Sequence, residues 1–149
     1  MKIFIYGYGN PGRQDDGLGI LFVDKLYIWV KKNNIKNIFF DSNYQLNIED
    51  SFEILKYDLI IFVDASKNIK NRYVFSKISP EETITYTSHS MLPENILFLT
   101  KKLYNKVPEA YLLTIKGYRW EVNKKPTKKA IKNLMLSVKY IKNFLKKFI

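Results

Sequence analysis

The sequence predicts an α/β protein: a three-layer α/β/α arrangement around a twisted, mostly parallel five-stranded mixed sheet. Three observations predict it. Short apolar runs alternate with longer segments whose apolar residues recur every three or four positions. The run "DLIIFVDAS" at 58–66 is apolar at nearly every position, as a strand covered on both faces must be. The first run, "KIFIYG", stops at a glycine and passes into a helical stripe. At 149 residues, a single domain spanning 1–149 is expected.

Each element has its own justification. Residues 2–7 form the first strand and end at Gly7. Residues 16–32 follow as a helix, with Leu18, Leu21, Phe22 and Leu26 on one stripe and Lys31 and Lys32 in the last turn. "NIFFD" (37–41) is a second strand, and "IEDSFEILKY" (48–57) a short helix with acids in its first turn. The run 58–66 is the strongest strand, cut off at Asp64. "RYVFSKI" (72–78), a candidate for antiparallel pairing, and "TITYTS" (83–88) are weaker strands. Pro93 opens a helix over 93–105, since proline lacks only an amide that the first turn leaves unpaired. "AYLLTIKGY" (110–118) is another buried strand. The last helix runs over 126–148, with Ile131, Leu134, Met135, Val138, Ile141 and Leu145 as its apolar stripe.

Composition narrows the chemistry. The chain has no cysteine, which removes disulfides, thiolate metal ligands and cysteine nucleophiles together and suits a reducing interior. No apolar run reaches the ~20 residues of a membrane span. "MKIFIYG" is too short for a secretory core, so a cytoplasmic location is expected. The formal net charge is +11, with lysines crowded into the last third. A charge run of this kind is a solvated helix face unless something else specifies a partner.

The stretch "IFIYGYGNPGRQDDGLGI" (3–20) carries Gly7-x-Gly9-x-x-Gly12, the spacing of a dinucleotide-binding loop. Its surroundings oppose that use. Asp15 and Asp16 would set negative charge beside a pyrophosphate, and Pro11 removes an amide a phosphate needs. A ribose-binding acid belongs ~20 residues further on, where Lys31 and Lys32 stand. A tight turn here instead throws acidic residues over the carboxyl edge of the sheet, where ligands bind in open α/β folds.

Three groups are candidates to meet at that edge: Asp16 after the first strand, Asp64 at the end of the strongest strand, and His89, the sole histidine. Two carboxylates and an imidazole suit a borderline divalent ion and leave coordination positions open. Such an ion can activate water or polarise a carbonyl. Each residue also has a plainer use: Asp16 as a helix-start residue, Asp64 as an acceptor for turn amides, His89 as a loop histidine. Asp15 is expected to cap the helix and Asp41 to sit in a turn. A serine hydrolase built on Ser66, Ser88 or Ser90 lacks a G-x-S-x-G elbow.

"GYGNPGRQDDGLG", "YDLIIFVDAS" and "SHSM", together with "LLTIKGYRWE" (112–121), resemble the hydrogenase maturation endopeptidases. The resemblance implies a phosphorylase/hydrolase-like twisted mixed sheet between helices. It implies an aspartyl-type endopeptidase that activates its target by removing the C-terminal extension of a nickel–iron hydrogenase large-subunit precursor. By position, the family's metal-site residues fall on Asp16, Asp64 and His89. They are implied to recognise nickel already installed in the precursor, so the purified protein can be metal-free. A monomer is expected. The segment "DSNYQLNIED" departs from the glycine-rich segment that many members carry there. Two other classes stay open: a checkpoint protein that binds metal or precursor without cutting, and a nucleic-acid binder using Lys128, Lys132 and Lys139.

Overall fold

A computed structural model of the chain describes residues 1–82 and 91–149. The elements are β1 (Ile3–Tyr8), α1 (Leu18–Lys32), β2 (Ile38–Asn43), α2 (Asp50–Glu53), β3 (Leu59–Ser66), β4 (Tyr73–Ile78), α3 (Pro93–Tyr104), β5 (Glu109–Lys116) and α4 (Lys128–Leu145). The expected strand at 83–88 lies outside the described residues.

The five strands form one sheet in the order β2-β1-β3-β5-β4. All neighbours are parallel except β4, which runs antiparallel to β5. The mixed sheet and the antiparallel piece at 72–78 are therefore as the sequence suggests. Strand periodicity explains the layering. Ile3 and Ile5 of β1, with Leu59, Ile61 and Val63 of β3, face α1 and α4. Phe4 and Tyr6, with Ile60 and Phe62, face α3 and the α2 region. Both parities of β3 are covered, which is why the run reads as continuously apolar.

Helix boundaries depart from expectation in instructive ways. The helix expected from residue 16 begins at Leu18, after a 3-10 turn over Gln14–Gly17. Gln14 holds φ at 53°, a left-handed value that delays regular helix. The expected helix at 48–57 is a short α2 continued by a 3-10 turn over Ile54–Lys56. Thr127 caps α4, its hydroxyl oxygen accepting the Ala130 amide at 3.3 Å. On α4, Leu134, Val138, Ile141 and Leu145 are buried, but Met135 is 48% exposed. One step along a helix turns the side chain by ~100°, so Met135 leaves the stripe that Leu134 holds.

Two glycines set how the first crossover docks. A Cβ on Gly19 would lie 2.6 Å from the Val63 carbonyl oxygen and 2.7 Å from that of Tyr8. The start of α1 thus rests directly on the ends of β1 and β3. Gly9 has φ of 140°, and a Cβ there would run into the Asp16 carbonyl oxygen. The glycine pattern serves backbone contact between loop, helix and sheet.

Candidate active site

β1, β3 and β5 are parallel, so their carboxyl ends and the loops that follow share one edge of the sheet. Asp16 enters from the β1–α1 loop. Asp64 lies within β3 rather than ending it: the strand continues to Ser66, and Asp64 stands opposite Thr114 of β5.

Asp16 is half-buried. Its Oδ2 accepts the Asn10 amide at 3.1 Å, and its own amide donates to the Arg13 carbonyl at 3.1 Å. No side chain caps the 3-10 turn or α1, so Asp16 is not a helix cap. The glycine turn and the Asn10 amide hold its carboxylate at the edge.

Asp64 Oδ1 accepts the Ala65 amide at 2.8 Å. Burial pushes its carboxyl up to about 7; the Ala65 amide pulls it down, the charge of Asp16 raises it further, and the neighbouring Tyr8 hydroxyl opposes the rise. The two acids are thus close enough to feel each other. Tyr8, half-buried at the end of β1, is itself raised well above a free tyrosine by burial and then by the charges of Asp64 and Glu94.

Asp15 does not cap the helix, as was expected of it. It is completely buried. Oδ2 accepts the amides of Tyr118 at 2.8 Å and Arg119 at 3.2 Å and the Thr127 hydroxyl at 2.8 Å, while Oδ1 accepts the Thr127 amide at 2.7 Å. The loop between β5 and α4 offers those donors in a cluster, and a carboxylate surrounded by backbone amides needs no cation. Further pairs run alongside: the Asp15 amide to the Arg119 carbonyl at 3.1 Å, and the Asn123 amide to the Gly12 carbonyl at 3.0 Å. The β5–α4 loop is thereby clamped to the loop that carries Asp16. It brings Trp120 to the same edge, with the Lys67 ammonium 4.7 Å from its ring centre.

The other expectations divide. Asp41 sits in β2 opposite Tyr6, not in a turn, and its Oδ1 accepts the neighbouring Ser42 amide at 2.8 Å. Ser66 Oγ accepts the Asn68 amide at 3.1 Å, the use of a turn residue. His89, Ser88 and Ser90 lie outside the described residues. Among the described residues no three histidine, cysteine or acidic side chains converge on a common point. The edge therefore supplies two carboxylates, Asp16 and Asp64, and the expected third ligand is His89.

Sequence reasoning missed Tyr8, Glu94 and the β5–α4 loop. Strand register could have found Tyr8, since two residues of like parity at the ends of adjacent parallel strands become neighbours. A groove of about 650 Å³ lined by Trp29, Asn33, Lys36, Asn37 and Lys146 lies at the far end of α1, away from the acids.

No family model and no curated protein matches the chain by sequence. Solved structures do match it. A NiFe hydrogenase maturation protease, HycI from Thermococcus kodakarensis KOD1, superposes with a TM-score of 0.75 at 21% identity, covering 97% of this chain and 92% of that one. The maturating endopeptidase HybD from E. coli gives 0.71 at 16% identity over 99% and 93%. A hydrogenase 2 maturation peptidase from Thaumarchaeota archaeon SCGC_AB-539-E09 gives 0.68 at 17% identity over 97% and 98%. The chain has the fold of these proteins along almost its whole length.

Proposed function

We propose that the chain is an endopeptidase that removes the C-terminal extension from the large-subunit precursor of a nickel–iron hydrogenase once nickel is in place, and so activates the enzyme. One observation carries the reading: on a fold shared with maturation proteases, Asp16 and Asp64 stand at one sheet edge within electrostatic reach of each other. The third ligand of the reading is His89, contributed from the segment between β4 and α3.

Nickel enters here as part of the substrate. With the Asp64 carboxyl held near 7, a large share of the molecules carry it protonated at neutral pH. A cation brought by the precursor favours the ionised form, so the site binds a loaded precursor better than an empty one. The precursor-borne ion then polarises the scissile carbonyl or the attacking water, and a carboxylate of the pair accepts the proton. The protein is proposed to act as a cytoplasmic monomer. No helix among the described residues is long and apolar enough to cross a membrane.

The test is direct. Purified protein is mixed with a precursor that retains its extension, either nickel-loaded or nickel-free, and the products are weighed by mass spectrometry. Shortening of the loaded precursor alone is expected. Asp16→Ala and His89→Ala should each slow it at least ~100-fold while far-UV circular dichroism is unchanged. A loaded precursor left at full length by the wild type refutes the protease reading; a stable complex without cleavage would favour the checkpoint role.

A further inference from the structure

Tyr8 and Asp64 occupy corresponding places on neighbouring strands. β1 and β3 run in parallel register with Gly7 beside Val63, and the next residues are Tyr8 and Asp64. Parity places both on the same side of the sheet. Phe4 and Tyr6 precede Tyr8 on that side, and Ile60 and Phe62 precede Asp64. The Tyr8 ring packs against this apolar layer, which fixes its direction. Its backbone is equally fixed, because Gly19 rests against the Tyr8 amide and carbonyl. The hydroxyl at the end of this braced ring lies beside the Asp64 side chain, near enough for the charge of Asp64 to act on it.

An aspartate has two soft side-chain torsions. In Asp64 one oxygen is tied to the Ala65 amide on its own strand. By itself that bond leaves the plane of the carboxyl free to swing. A hydroxyl donating to the carboxyl from the adjacent strand would remove this freedom. We propose that Tyr8 is a positioning residue for Asp64, its hydroxyl fixing the plane in which that carboxyl is presented at the sheet edge. The inference deepens the protease reading and rests on it for its kinetic consequence. The contact itself can be measured without any substrate.

Tyr8→Phe deletes the hydroxyl and keeps the ring in its apolar seat. Two measurements follow. The first is the carboxyl carbon resonance of Asp64 in isotope-labelled protein without precursor. It is expected to move in Tyr8→Phe while those of Asp15 and Asp58 stay in place. The second is trimming of nickel-loaded precursor, expected to lose about tenfold in kcat with KM within about twofold, the pattern for an interaction used in the transition state. Tyr8→Leu, which also removes the ring, should lower thermal stability and leave kcat no lower than Tyr8→Phe does. An unmoved Asp64 resonance, or an unchanged kcat in a trimming-competent background, overturns the proposal. If the wild type trims nothing, the protease reading fails, and the resonance still decides whether Tyr8 orients Asp64.

Discussion

At the scale of the residue, Asp15 and Asp64 have opposite energetic roles. Asp15 is buried with its carboxylate accepting from amide and hydroxyl donors, whereas Asp64, the partner of Asp16, is buried against the preference of its own charge. The pH dependence follows from the sign. An aspartate has an ordinary value of 3.8, and Asp64 in the folded chain sits at about 7. Between those values the folded chain binds a proton that the unfolded chain has released. Its contribution is therefore lost as pH rises from about 4 through about 7, and is flat beyond. Asp64→Asn should abolish this part of the slope. Urea unfolding at pH 4.5 and pH 7.5 checks it: the variant gains on the wild type at the higher pH, by a few kcal/mol at most, while losing trimming. Asp15→Asn should do the reverse. Its amide nitrogen would face an N–H, leaving buried donors without an acceptor, and a loss of about 1–3 kcal/mol in urea unfolding is expected.

At the scale of the element, the β1–α1 connection is the most tightly built part of the chain. Gly19→Ala would push a methyl against two carbonyl oxygens of the strand ends, which belong to backbone and cannot rotate away. A destabilisation of about 3 kcal/mol is expected, near the top of the range for overpacking, with Asp16 displaced. Thermal melts and trimming assays of that variant should fall together. These elements also mark what the sequence could convey. β1, β3, β5, α1 and α4 were legible because each carries one long periodic signal that burial then satisfies. Asp16 and Asp64 were legible because an acid following or interrupting an apolar run has few other reasons to be there. Asp15 was not: its donors come from Tyr118, Arg119 and Thr127, about a hundred positions away, and no local pattern announces such a meeting. Asp41 was misplaced for a related reason, since pairing with β1 extends β2 past the point where its apolar run stops. Tyr8 was passed over because the first apolar run was read as ending at Gly7, which left Tyr8 in the glycine loop, whereas β1 extends to it.

At the scale of the whole molecule, charge and topology set the behaviour. The net charge is +11, and the ion pairs among the described residues are exposed surface contacts, such as Lys77 with Glu109 at 3.4 Å. Surface pairs of this kind contribute little, so self-repulsion outweighs them. Raising salt from near zero to ~0.3 M should screen it and lift Tm by about 2–4 °C, the equivalent of ~1 kcal/mol for a chain of this size. Differential scanning calorimetry in sodium chloride checks this, and a Tm that falls would show that attraction dominates.

The strand order β2-β1-β3-β5-β4 bears on how the chain is made. Among the described residues β4 pairs only with β5, yet it leaves the ribosome first, ahead by roughly 30 residues or about 2–6 s of synthesis at ~5–20 residues per second. During that interval Tyr73 and Phe75 have neither the Tyr111 of β5 nor the Tyr140 and Phe144 of α4 to stack on. β5 must then insert between β3 and a strand already synthesised, closing the sheet from within. The nascent chain is most vulnerable to sticking to its neighbours in those seconds, and a stalled ribosome at that point would hand a chaperone an unpaired strand with exposed aromatic rings.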